Sequence, residues 1–580
     1  MYLFQLKNRV RARRRRGAII VLAAILMIVM MGVLALTIDT GYMYTMQTQL
    51  DRAVDAAALA GAASLGDGTD IANQKAVEYL VRNPVGTGPV ADNELGQKMA
   101  EFLSLHRNDY QIVAGNWNSE THQLEPTSEL PSALSVRMTY PNMPTFFGRV
   151  FGKNAFQVQS EAVAMYQPRD IMIVLDFSGS MNDDSELKSI NRFGFTTIMN
   201  GLAQMYQELG NPVYGNMQFD PQYITVNGQP PQNNSQPQIT VEYRYKSVYV
   251  TSTKDLSNVV LKFSNGRTQK FDNLSGKTGL FKGTGSNRNR PIYRVWVKSG
   301  NNASGEGPGY GEPFDFSRST INRTIKTALG LDGVPYPYPS GSWFSFINYC
   351  KSSYYNRKAG FRYKFGYANL INYWLEQKCR HSQTPDLWKC SAYPVTAVKD
   401  AVDVFMDYIR LVDTNDRVGL VIYDAADGEA KLEVPLSQDL DHIVDVTRHR
   451  QAGHYHNMTN IGAGMRVARE HLQAHARRGA FKMMVLMTDG QANWYHHHYD
   501  RTAARNDVIS EAYAAADLHY PVVAISLGAG ADVNLMQQIA DITESRQFNV
   551  PGGQSVAAYR EDLIQVFQDI ASARPLKLVH

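Results

Sequence analysis

Residues 170–180 read DIMIVLDFSGS, with five apolar side chains in a row after Asp170, then Asp176, Ser178 and Ser180 spaced two apart. An uninterrupted apolar run of this length suits a strand covered on both faces, as in a parallel sheet. Oxygen-bearing side chains directly after such a strand lie at its carboxyl edge, where open α/β sheets bind ligands. Three similar runs follow downstream: RVGLVIY at 417–423, FKMMVLMT at 481–488 and YPVVAISL at 520–527. Helical spacing accompanies them. Val398, Ala401, Val402, Phe405, Tyr408 and Ile409 mark one apolar face behind Pro394, a residue suited to a helix start. Ile461, Met465, Ala468, Leu472 and Ala476 mark a second, and Val556, Tyr559, Leu563, Val566, Phe567 and Ile570 a third. Alternating strands and helices predict an α/β fold, a doubly wound and mostly parallel sheet, assembled from 169–183 and 394–580.

The alternation is broken once. The first strand ends at Asp176, yet its helix does not arrive until Pro394, so residues 184–393 are an insertion. A structureless loop of that length is not expected in a compact domain. The segment VVLKF, SNGR, TQKF over 259–271 predicts a hairpin, and IYRVWVK at 292–298 a strand. A Gly/Asn/Ser-rich stretch at 299–312 reads as a loop. The insert is therefore expected to be folded, partly antiparallel and aromatic-rich, holding four of the six tryptophans. Because it interrupts a connection at the same sheet edge as Asp176, it is expected to stand beside the ligand crevice. It also holds all three cysteines, Cys350, Cys379 and Cys390, which allow at most one internal disulfide.

The 580 residues are 44% hydrophobic and 19% charged, a globular composition that excludes disorder, collagen and coiled coil as overall descriptions. Of the net charge of +4, residues 1–16 contribute seven cations and no acid, so the remaining body is slightly acidic. That distribution argues against nucleic-acid binding, which needs a basic footprint on the folded part. Gly17 to Ile38 follows as a charge-free run of 22 residues. At about 1.5 Å per residue it is long enough to cross a bilayer. The basic tail 1–16 on one flank predicts a cytoplasmic N-terminus with the body outside, in the inner membrane of a bacterial envelope. A cleaved leader is the alternative. Beyond the run, Leu50, Ala53, Ala57, Ala60 and Ser64 keep helical spacing up to Gly66 and Gly68.

Hard divalent cations take oxygen ligands, and Mg²⁺ keeps several waters, so a site of hydroxyls with few carboxylates suits it. Two further oxygen donors occupy places comparable to 176–180: Thr459 in NMTNIGAG, before the helix starting near Ile461, and Asp489 directly after the strand FKMMVLMT. A strand order 3-2-1-4-5-6 would bring Asp176 and Asp489 together at the crevice. Other motifs fail. Gly276, Lys277 and Thr278 lack the first glycine of a phosphate loop. His454, His456 and His496–His498 are a candidate zinc or nickel cluster or exposed loop residues, and His471 with His475 reads as a solvated helix face. No base is paired with a nucleophile, so no catalysis is expected.

Two resemblances accompany these readings. The order RRRRGA, apolar run, Asp39-x-Gly41, then LDRAVDAAALAGA resembles the N-terminus of TadE/TadG-type proteins of Tad (Flp) pilus assembly, and YPNMPTFFGRVFGKNAFQVQSEAVAMY at 140–166 is similar to the β-rich segment closing that module. It implies an extracytoplasmic stalk module over 39–168. Relatives processed like prepilins carry a Glu five residues into the run, where this sequence has Val21 and Leu22, which leaves processing of the N-terminus open. The motif Asp176-x-Ser178-x-Ser180, a distant Thr459 and the TDG Asp489 resemble the metal-ion-dependent adhesion site of von Willebrand factor A (VWA) domains. That resemblance implies Mg²⁺, with Mn²⁺ or Ca²⁺ as alternatives, held directly by Ser178, Ser180 and Thr459, with Asp176 and Asp489 acting mainly through waters. It implies a protein or surface ligand whose acidic residue completes the coordination, and pilus-assembly proteins as possible partners. A metal-free scaffold and a metal-assisted hydrolase are the other readings.

Overall fold

The computed structural model describes residues 16–65, 68–88, 90–118, 121–127, 131–300, 302–304, 312–412, 415–426, 429–478, 480–553 and 555–579. The basic tail up to residue 15, and most of the loop expected at 299–312, lie outside these. The chain divides into two compact units, one formed by 1–168, 408–415 and 571–580, the other by 169–407 and 416–570.

The larger unit is built on a six-stranded sheet: β1 (Arg169–Asp176), β2 (Arg417–Ala426), β3 (Glu429–Ser437), β4 (Phe481–Thr488), β5 (Val522–Leu527) and β6 (Gln547–Val550). Their order is 3-2-1-4-5-6, with five parallel strands and the antiparallel edge strand β3. All eight residues of β1 are buried, as a central strand with helices on both faces requires. Met172 and Val174 point into one layer, where they join Val421, Met484 and Leu486 against Met465, Ala468 and Leu472 of the Ile461–His475 helix. By alternation Ile171, Ile173 and Leu175 face the other layer. Phe405, from the Val395–Val412 helix, and Phe567, from Tyr559–Ser572, are fully buried with rings 5.2 Å apart. That last helix starts at Tyr559, so Val556 precedes it.

Buried ion pairs close the amino ends of the strands. Arg169 is bonded to Asp416, both side chains without exposure, and Asp170 accepts from Arg417 and Arg477. Burial opposes ionisation of Asp170, but the two guanidinium groups and the Arg477 N–H hold its carboxyl below the ordinary value. A lowered folded-state value means stability present above about pH 4 and lost as pH falls through the folded value. Asp170→Asn is therefore expected to melt earlier than the parent at pH 7, with the gap narrowing towards pH 3. A gap of constant size across that range would contradict the linkage.

The insert folds into two five-stranded antiparallel sheets with helices between. One includes the expected hairpin, Leu256–Phe263 with Thr268–Asp272, and the strand Ile292–Ser299. Its aromatic residues form its own core: Trp296, Trp343 and Trp374 are buried, and Tyr243 stacks on Phe316 at 4.1 Å. Its two ends meet where Ser185 Oγ accepts the Tyr393 N–H at 2.7 Å. The three cysteines are free and buried, and burial raises each thiol above its ordinary value, Cys379 to about 12.

In the smaller unit one helix runs from Arg16 to Ala63. Its first half is exposed, apolar and long enough to cross a membrane. Its second half buries Met46, Leu50, Val54, Ala57 and Ala58 against Leu134, Val136 and Ala162 of an antiparallel sheet. That sheet orders Gln123–Pro126, Tyr110–Asn118, Ala133–Pro144, Ala155–Tyr166 and Leu576–Val579. The last strand corrects the sequence reading, which assigned 394–580 to the α/β part. Leu576 and Leu578, on either side of Lys577, pack on this smaller core instead.

Candidate functional site

The five candidate oxygen donors converge at the carboxyl ends of β1 and β4. The pairing Leu175 to Met487 brings Asp176 beside Thr488, and Asp489 follows at the end of β4. Asp176 Oδ1 accepts the Ser178 N–H at 2.8 Å and Oδ2 accepts the Thr488 hydroxyl at 2.7 Å. Thus one carboxylate sets both the turn after β1 and the tip of β4. From there a chain of hydroxyls runs across the crevice: Thr459 Oγ1 to Ser178 Oγ at 3.2 Å, Ser178 Oγ to Ser180 Oγ at 3.0 Å, and Ser180 Oγ to Asp489 Oδ1 at 2.6 Å. Asp176, Ser178, Thr459 and Asp489 are buried, whereas Ser180 is half-buried and opens the row to solvent.

Each member is held by its own local structure. Thr459 precedes the Ile461–His475 helix, whose Asn460 side chain accepts the Ala463 N–H as an N-cap. The Asn493 side chain accepts the Thr459 N–H at 2.9 Å, while the Thr459 carbonyl accepts the N–H groups of Asn493 and Trp494. Upstream, Asp424 Oδ2 accepts from the N–H groups of Tyr455 and His456, and the Gly179 N–H reaches the Asn457 carbonyl. Gly464 lets this helix press on the sheet. A Cβ there would stand 2.8 Å from the Tyr423 ring and 2.9 Å from Val174.

Burial raises the carboxyl of Asp176, and its several hydrogen bonds only partly offset this. Asp489 is pushed well up, by burial first and then by the charge of Asp176 and, further off, Asp183 and Asp184. Two desolvated carboxylates beside three hydroxyls make an all-oxygen donor set for which a divalent cation is the fitting counter-charge. Among the described residues no group of three or more His, Cys, Asp or Glu could hold a metal, so a cation here would depend on the hydroxyls.

The histidines go elsewhere. His454 stacks on His381 of the insert at 4.8 Å, and burial, with neighbouring cations, lowers its imidazole to about 3, which keeps it neutral. His496–His498 are exposed on the small Trp494–Tyr499 hairpin. His471 corrects the expectation of a solvated face: it is buried, and its Nε2 accepts the Leu436 N–H at 3.1 Å. Gly276 to Thr278 only lead into a strand. Sequence reading also missed Thr488 and Asn493. Thr488 was signalled by its place directly before Asp489; Asn493 carried no local signal.

The insert backs this crevice through its last segment. The His381 N–H donates to the His454 carbonyl at 2.9 Å, and Gln451 Nε2 to the Cys379 carbonyl, so the loop leading to Thr459 rests on the insert.

The von Willebrand factor type A family matches residues 388–561. The Flp pilus-assembly TadE/G-like family matches 17–64, and the Tad-like Flp pilus-assembly family 60–164. The chain carries a VWA domain behind a Tad-type module. The VWA match starts within the last residues of the insert and leaves out β1, yet β1 with Asp176, Ser178 and Ser180 lies between β2 and β4, completing the VWA sheet. Solved structures similar to part of the chain include the BatB protein from Bacteroides thetaiotaomicron, at 15% identity and a TM-score of 0.24 over 30% of this chain and 86% of that one. A von Willebrand factor type A protein from Catenulispora acidiphila matches at 15% and 0.24 over 33% and 40%. The pilus adhesin SpaC from Lactobacillus rhamnosus GG matches at 19% and 0.24 over 30% and 28%. No curated protein matches the chain.

Proposed function

We propose that this is a membrane-anchored envelope protein whose VWA domain binds a protein or surface ligand through a divalent cation, in the service of Tad-type pilus assembly or adhesion. The observation that carries the reading is the convergence of Asp176, Ser178, Ser180, Thr459 and Asp489 at one sheet edge. Ser178, Ser180 and Thr459 would hold Mg²⁺, or Mn²⁺ or Ca²⁺ in its place, and Asp176 and Asp489 would act mainly through bound water. The cation would supply a Lewis-acidic position for a partner's carboxylate. The chain's own residues contribute orientation and desolvation. The row joins hydroxyls to two carboxylates and holds no nucleophile paired with a base, and the role we assign to it is binding rather than turnover.

One observation favours the metal-free scaffold as a second reading: the hydroxyls already satisfy one another and Asp489. Calorimetric titration of Mg²⁺ and Mn²⁺ into the detergent-solubilised chain separates the two. Heat of binding that grows with an Asp-bearing peptide, and not with its Asn counterpart, supports adhesion; no heat with either ion leaves the scaffold.

Orientation follows from the seven cations before the Gly17–Ile38 run. Protease applied to spheroplasts is expected to remove epitopes beyond residue 170. Their protection in intact spheroplasts, with digestion after lysis, would reverse the topology.

A further inference from the structure

The loop between Ala133–Pro144 and Ala155–Tyr166 exposes four large apolar side chains: Val150 at 81%, Phe151 at 69%, Phe146 at 62% and Phe147 at 41%. Water is a poor neighbour for such a cluster, and in soluble domains a contiguous patch of this kind marks an interaction surface. The loop is nevertheless firmly built. The Thr145 hydroxyl donates to the Lys153 carbonyl at 2.6 Å, and the Lys153 N–H to the Gly148 carbonyl at 2.9 Å.

Its attachment point says what covers it. Asp39 is the first charged residue after the Gly17–Ile38 run. Its carboxylate accepts the N–H groups of Phe146 at 2.9 Å, Phe147 at 3.1 Å and Gly148 at 2.5 Å. Desolvation opposes ionisation of Asp39, but these three N–H groups hold the carboxyl below its ordinary value, so the clamp is charged at neutral pH. Tyr42, one turn further along the helix, meets the Phe146 ring edge-on at 4.9 Å. The loop is thus pinned at the level where the apolar run ends. Exposed Tyr44 lies nearby on the helix, and aromatic side chains concentrate at the headgroup level of membranes. Residues 140–154 contain no acid, while Arg149 and Lys153 are exposed cations among the apolar side chains, matching lipid phosphates.

We propose that Phe146, Phe147, Val150 and Phe151 insert into the bilayer interface beside the transmembrane helix, forming a second membrane contact that Asp39 locks to the first. The helix and the loop then hold the smaller unit at two points, which limits its rotation about the helix axis. This rests on reading residues 17–38 as membrane-spanning.

The test uses the full chain in phosphatidylcholine/phosphatidylglycerol vesicles, spin-labelled singly at Ile28→Cys, Gln123→Cys, Val150→Cys or Phe151→Cys. The labelled parent, with its buried cysteines, serves as background. Collision with oxygen against a water-soluble nickel chelate reports depth. Ile28 lies within the run, and Gln123 is exposed at the far end of the sheet. Labels at 150 and 151 are expected to favour oxygen, at a depth between that of residue 28 and aqueous residue 123. Asp39→Ala should shift both loop labels towards water without moving residue 28. A deep residue 28 with labels at 150 and 151 as aqueous as 123 would overturn the loop proposal and leave the anchor standing. Aqueous signals at all four positions would overturn both. Val150 and Phe151 are mostly exposed, so these labels do not disturb the core.

Discussion

Asp176→Ala is expected to weaken Mn²⁺ binding by about 10- to 100-fold, the usual loss when a group that orients metal ligands is removed. The carboxylate does two jobs in one place. It receives the Ser178 N–H, fixing the turn that aims both serine hydroxyls, and the Thr488 hydroxyl, fixing the end of β4. Asp489→Ala removes the acceptor of the Ser180 hydroxyl and should fall in the same range. Asp183 and Asp184 make poor controls. Asp184 binds Arg192 and the Tyr559 hydroxyl, Asp183 pairs with Lys188, and the charge of both bears on Asp489. Asp541→Ala is the better control, since its carboxylate is exposed and accepts from Gln537 one turn back on the same helix. Mn²⁺ titration with circular dichroism as a folding check reads the result. Unchanged affinity in both Asp176→Ala and Asp489→Ala would remove the shared site and the adhesion reading with it.

The centre of the VWA sheet was legible because central parallel strands must be apolar on both faces, and β1, β2, β4 and β5 are written that way. The edges were not. β3 buries only Ala430 and Val434 and leaves Leu432 exposed between them, and β6 is the four-residue QFNV, too short and polar to stand out. The five oxygen donors were legible because each interrupts an apolar pattern at a strand end or helix start. Their supporting groups answer to tertiary demands that no local window contains. Asn493 accepts the Thr459 N–H from 34 residues away, and His471 accepts a backbone N–H of β3 from within a helix. The insert shows the same limit on a larger scale. Its hairpin is local and was readable, whereas the pairing of Gln222–Asn227 with Lys364–Phe365 joins segments far apart in the chain.

Arg169→Ala is expected to destabilise the larger unit by about 3–5 kcal/mol, the usual effect of leaving one partner of a buried ion pair alone. Arg169 gives Nε and Nη2 to Asp416 Oδ2 at 3.0 and 2.8 Å, its N–H to Oδ1 at 2.8 Å, and Nη1 to the Ile570 carbonyl at 3.0 Å. Both side chains are shut off from solvent, so truncation strands a carboxylate that water cannot reach. Arg169→Lys should rescue little, because an ammonium cannot reproduce the planar fork. The double variant Arg169→Met/Asp416→Leu should recover most of the loss, since it removes both charges together. A residual deficit of about 1–3 kcal/mol is expected from the Arg169 N–H, which loses its acceptor. For a unit of this size the single variant should lower the melting temperature on the order of 10 °C. The pair lies at the amino ends of β1 and β2, opposite the crevice, so any folded Arg169→Ala protein should bind Mn²⁺ as the parent does. A melting temperature equal to the parent's would show that solvent reaches the pair, and a weakened Mn²⁺ affinity at full stability would show that the two ends of the sheet are coupled.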